Sequence, residues 1–163
     1  MKKSSHSLRL LLHNVRRSLK PAAGARVLCA NDVAEGMHYG AITRLSDAAI
    51  AARHSLVKVG SDAAHVAVTG VSDIPLGICL DEPAAAEEPV AVALLGAAAG
   101  TLRAVASGTV TAGDYVVPAA SGAVRTLPVA AGTYYIVGRA IATAASGALV
   151  EMDPCVPVQR VVS

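Results

Sequence analysis

The chain has no phenylalanine and no tryptophan, and its aromatics are Tyr39, Tyr115, Tyr134 and Tyr135. A core must therefore be assembled from Ala, Val, Leu and Ile, whose small side chains fill the space between closely spaced layers. Ligand pockets draw shape and affinity from aromatic walls with a few convergent polar groups, and this composition supplies few of either. Cysteine is scarce too: Cys29, Cys79 and Cys155 are far apart and odd in number, which excludes a disulfide framework and fits single buried thiols. Long apolar runs are missing near the start. Leu10 to Leu12 is bracketed by Arg9 and His13, so neither a signal peptide nor a membrane span is expected.

Acidic residues are absent from the first twenty positions, where Lys2, Lys3, Arg9, Arg16, Arg17 and Lys20 all lie. The net charge of +2 thus hides a basic arm on a mildly acidic body. Arms of this kind meet anionic partners, or remain solvated tails. Within it Leu8, Leu11, Leu12, Val15 and Leu19 keep the spacing of one helix face, with Arg9, Arg16 and Arg17 off the stripe. A short amphipathic helix ending before Pro21 would be an anchor that docks on a partner, a helix packed on its own domain, or a segment that orders on binding. Residues 1–21 are read as this arm, 22–55 as mixed loop and short strands, and 56–163 as a β-rich domain.

In the middle segment Gly24, Gly36 and Gly40 interrupt every apolar run, and Ser46 or Asp47 is placed to cap a short helical turn through Ala52. From Leu56 on, short apolar, β-branched runs recur between Gly, Pro, Asp and Ser punctuation. Strands are expected over 56–60, 65–69, 76–80, 90–95, 102–106, 115–117, 123–127, 134–142 and 148–152. No helical crossovers separate them, so the fold class is mainly β, an antiparallel barrel or sandwich rather than a parallel α/β sheet. The stretches VVPAASGAVRTL, from Val116, and IATAASGALVEM, from Ile141, each set AASG between apolar runs. Both read as hairpins in which Gly122 and Gly147 take positive φ, lying side by side in one sheet, with Pro118 at a strand end.

Chemistry finds little footing. His6, His13, His38, His54 and His65 are scattered, and no His-x-x-x-His or Cys-x-x-Cys pair exists, so no metal site is expected. The glycines at Gly96 and Gly100 precede no Lys-Ser or Lys-Thr, and no cofactor loop is present. No nucleophile sits in a recognisable signature, which places catalytic residues at none. The strands lack basic, aromatic faces for stacking bases, so no specific nucleic acid is expected as a partner. Asp81, Glu82, Glu87 and Glu88 lie in a proline-bounded, alanine-rich stretch without a neighbouring His and read as a solvated loop. TAGDYV, from Thr111, resembles a turn of biotinyl and lipoyl carrier domains, but those need a lysine at a hairpin tip, and none follows Lys58. What survives is a tight turn at Gly113 and Asp114, the aspartate bonding its own local backbone.

The segments around GIC at Gly77, TAGDYV at Thr111, AASG at Ala119, and VGRA to ALVE between Val137 and Glu151 resemble, in their order, the small decoration or head-cement proteins of tailed phages. That resemblance implies a compact β-barrel or β-tulip-like domain on the capsid exterior, made in the host cytoplasm and carried on the virion. It implies the major capsid protein as partner, a homo-oligomer with a trimer favoured, and no cofactor, catalytic residue or membrane. Contact with the capsid or a partner is expected from Leu8, Arg9, Leu11, Leu12, Val15, Arg16, Arg17 and Leu19. The other readings are a head-fibre or tail component with a trimeric β domain and, from another class, a small β-barrel enzyme.

Overall fold

A computed structural model describes residues 40–163, and these contain ten strands and one short 3-10 turn. The first five strands are β1 (Ala41–Ser46), β2 (Leu56–Val59), β3 (His65–Val68), β4 (Gly77–Cys79) and β5 (Pro89–Leu94). They close into a barrel in the order β1-β3-β2-β4-β5, with β5 returning to β1 from Ala41↔Ala93 to Leu45↔Pro89. One joint, β1 with β3, is parallel; the rest of the barrel is antiparallel. The mixed segment before Leu56 thus supplies a complete strand of the barrel wall.

The remaining strands are β6 (Leu102–Val105), β7 (Tyr115–Pro118), β8 (Val124–Thr126), β9 (Gly132–Ala140) and β10 (Leu149–Val162). They form an antiparallel sheet in the order β6-β10-β9-β7-β8. Both AASG segments connect neighbours here, β7 to β8 and β9 to β10, and β9 lies beside β7, so the two hairpins do share one sheet.

Successive residues of a strand point to opposite sides, and the barrel uses both. Val57 and Cys79 turn inward to join Ile50, Val66, Val90 and Val92, all buried. Their neighbours Leu56 and Ile78 turn outward and join a second core with Ala104, Val110, Val116, Val124, Val137, Val150 and Met152 of the sheet side. A five-stranded barrel has a narrow bore, which valine, isoleucine and cysteine fill. This is where the absence of Phe and Trp acquires its structural meaning. Gly77 shows how tight the wall is: a Cβ there would lie 2.4 Å from the Ala93 carbonyl oxygen and 2.5 Å from Val92 Cγ1.

The helical turn expected from Ser46 or Asp47 does not form. Ser46 ends β1, and its hydroxyl donates to the carbonyls of Ala85 at 2.9 Å and Glu88 at 3.3 Å. The Asp47 carboxylate instead accepts the amide and hydroxyl of Ser61, at 2.8 and 2.7 Å. Both oxygens that would have capped a helix are committed to distant loops, and Ile50 plugs the barrel with its amide on the Pro83 carbonyl. Tertiary partners outcompete a marginal local turn.

Candidate interaction surface

Two of the marked turns fix how the sheet sits. Gly113 takes φ +97, and Asp114 Oδ2 accepts the Thr111 amide at 3.0 Å and the Thr126 hydroxyl at 2.9 Å, so the aspartate ties its own turn to the end of β8. Gly113 also donates its amide to Ala140 and accepts from Arg139 Nε at 3.1 Å, which locks the start of β7 onto β9. The twin AASG turns differ sharply. Gly122, at φ +72, presses on the barrel: a Cβ would meet Ser55 Cβ at 2.8 Å and the Leu56 carbonyl oxygen at 2.9 Å, and its amide donates to Thr69. Gly147, at φ +81, faces open space.

The sheet is uneven in length, and that unevenness creates its most exposed surface. β10 pairs with β6 only from Leu149 to Met152 yet continues along β9 to Val162. β9 in turn pairs with β7 at Arg139 and Gly138, and the same register leaves Gly132 to Tyr135 beyond the end of that strand at Pro118. The result is a two-stranded ribbon carrying Val156, Val158 and Val161, which are 62, 54 and 67% exposed. Pro154 and Pro157 lie where the register shifts between Pro154 and Val158; lacking N–H groups, they cannot complete a regular ladder, and the strand bulges there. Isolated two-stranded ribbons are marginal in water, and their unpaired edges invite association.

A groove of about 470 Å³ runs along this ribbon, lined by Tyr115, Leu127, Ile136, Cys155, Val158 and Arg160. Tyr115 is half-exposed, an apolar ring with a polar tip at the groove. Burial, with the Asp153 carboxylate adding to it, pushes the Cys155 thiol above its ordinary pKa, so it stays protonated and acts as a small apolar wall rather than a nucleophile. None of these lining residues was singled out from sequence. The last strand, expected over 148–152, instead runs to Val162; the signal available was the Val-rich run from Val156 to Val162.

The expected contact residues Leu8, Arg9, Leu11, Leu12, Val15, Arg16, Arg17 and Leu19 lie outside the described residues. The acidic loop is anchored internally: Asp81 accepts the Ala91 amide, Glu82 the Arg53 amide and Glu88 the Ala84 amide. His65 bridges Asp62 at 2.6 Å and Glu87 at 3.1 Å through its two ring nitrogens. Hydrogen bonding to Asp62 first, then Glu87, raises the His65 pKa, while the same contact lowers that of Asp62. The two nitrogens face opposite carboxylates, a geometry suited to bracing a loop. Among the described residues no group of three His, Cys, Asp or Glu side chains is arranged to hold a metal ion.

Comparison with known proteins follows the same architecture. The family model described as phage cement protein matches residues 37–153, a span that takes in the barrel and most of the sheet but stops before Cys155, Val158 and Arg160. No curated protein matches the chain. Among solved structures, the head fibre gp8.5 N base of bacteriophage phi29 superimposes with a TM-score of 0.55 at 16% identity, covering 72% of this chain and 94% of that one. At that identity the likeness is one of fold.

Proposed function

The chain belongs to the phage cement protein family and is a structural protein of the phage head, and from that premise we propose that it decorates the capsid exterior, where it clamps neighbouring major capsid subunits as a homotrimer without catalysing a reaction. The family match carries this reading. The physical form agrees with it: a closed, small-residue barrel gives a stiff body, and the uneven second sheet gives it exposed apolar surface. A cement protein acts at many symmetry-related points, so each contact need contribute only modestly, because neighbours on the lattice raise the effective concentration. The basic residues Arg9, Arg16 and Arg17 then serve as a second, charge-driven attachment to the shell.

Rebinding tests the proposal directly. Purified protein added to expanded heads stripped of decoration should restore regularly spaced density on the outer surface in electron cryomicroscopy; bare shells would overturn it. Removing residues 1–20 should weaken attachment, and the deficit should shrink as salt rises, since added ions screen the lost charges anyway. The fold likeness to a head-fibre base favours one second reading, that of a fibre base. Position in virion images separates the two: a fibre base carries further density projecting outward, and a cement protein ends at the shell.

A further inference from the structure

We infer that the β9–β10 ribbon is the surface at which copies of this chain meet, with Arg160 of one copy facing Asp153 of the next across the apolar groove. This deepens the decoration reading by naming the contact within the oligomer, and it rests on residues at and beyond the end of the family match.

Two charges flank the groove. Arg160 lines it, and it is exposed. Asp153 sits near the other end: residues directly paired in a sheet project to the same side, and the register sets Tyr115, Arg139 and Asp153 in one row across β7, β9 and β10. Tyr115 from that row and Cys155 next to it both line the groove. Among the described residues neither Arg160 nor Asp153 has an ion-pair partner, and neither side chain makes a hydrogen bond. Arg139, the cross-strand neighbour of Asp153, directs its Nε to the Gly113 carbonyl instead. Opposite charges thus stand unpaired at the two ends of one apolar strip, joined by Cys155 and Val158.

A strip with a cation at one end and an anion at the other is complementary to a second copy of itself laid in the opposite sense, or to the next copy around a rotation axis. In either case apolar side chains meet in the middle and each charge finds its opposite, whereas a purely cationic or anionic partner would satisfy one end and oppose the other. The contact is through side chains. Pro154 and Pro157 remove backbone donors from the middle of β10, which disfavours edge-to-edge strand pairing there and leaves the face to do the binding.

The test uses the full chain in sedimentation equilibrium at low salt. Wild type should self-associate. Arg160→Asp and Asp153→Arg should each raise the dissociation constant by about tenfold or more, since like charges would then oppose across the contact. Combining both changes in one chain should restore association, because every contact then regains an opposite pair. Both positions are exposed, and an unchanged thermal melt would show the variants folded. A monomeric wild type, single variants that associate normally, or a swap that fails to restore association would each overturn the inference. Head binding measured in parallel keeps the two proposals apart. If Arg160→Asp remains oligomeric but no longer binds heads, the face meets the shell and the self-contact is wrong. If wild type associates through this face but leaves heads bare, the decoration reading fails alone.

Discussion

Every strand of the barrel has hydrogen-bonded neighbours on both sides, whereas in the second sheet β6 and β8 meet through a single bridge, Ala106 with Val124, and β10 runs from Asp153 to Val162 past its last pairing with β6. The two halves use the same residue types to opposite ends. In the barrel, Val57, Val66, Val90 and Val92 are fully buried; on the ribbon, Val156, Val158 and Val161 are largely exposed. Closure removes edges and leaves little to bind with, while an unequal sheet keeps edges and apolar faces available. Buried and exposed apolar surface thus fall in separate parts of one small domain.

The sharpest way to break this division is to compare truncations on its two sides. Ile78→Ala, at the seam where the barrel wall meets the sheet, should cost about 2–5 kcal/mol in urea denaturation, because the core between wall and sheet loses contacts at a fully buried site. Val161→Ala, on the ribbon, should leave stability nearly unchanged. Equal losses would show that the ribbon belongs to the folding core.

The twin turns give a finer comparison. Gly147→Ala meets only backbone strain, of order 1 kcal/mol, because its surroundings are open. Gly122→Ala meets the same strain and must also displace Ser55 and the Leu56 carbonyl, so it should lose more. Matching chevron or melting data for the two variants would show that the sheet does not depend on the close approach of this hairpin to the barrel. Asp114→Ala should cost about 1–2 kcal/mol, as the Thr111 amide and Thr126 hydroxyl lose their acceptor.

The smallest effect expected is a pH dependence confined to the barrel side. His65 has a raised pKa, so its contribution is fully present below the ordinary value of 6.5 and is lost as pH climbs through the raised one. Asp62 has a lowered pKa, so its share is present above the ordinary 3.8 and is lost as pH falls through the lowered one. The brace should therefore be strongest between those limits. Thermal melts across neutral pH should show a slight decline that His65→Gln abolishes; an identical slope in the variant would assign the decline to other groups.

Much of this architecture was legible beforehand because strands and turns are local. Short apolar runs between Gly and Pro located nine of the strands to within a residue or two at most ends, and TAGDYV located the Asp114 turn. Two elements escaped. β1 carries Thr43 and Arg44 between its apolar residues and lies in a glycine-broken stretch, so only its pairing with β3 and β5 makes it a strand. The far half of β10 was hidden because Pro154 and Pro157 predict termination, whereas the strand bulges and continues. The groove escaped with it, since its lining comes from four separate segments.

Local sequence was enough to fix a mainly β chain built from small aliphatic side chains and punctuated by turns at Gly113, Gly122 and Gly147. These follow from side-chain volume, alternation and backbone freedom, each a property of a few adjacent residues. Tertiary pairing alone divides the strands into a closed barrel and a nearly closed sheet, presses the Gly122 turn onto the barrel while Gly147 faces solvent, and brings Tyr115, Cys155 and Arg160 to a single groove. Those outcomes depend on which distant strands pair and in what register, and register is settled by the shared core rather than by any one segment.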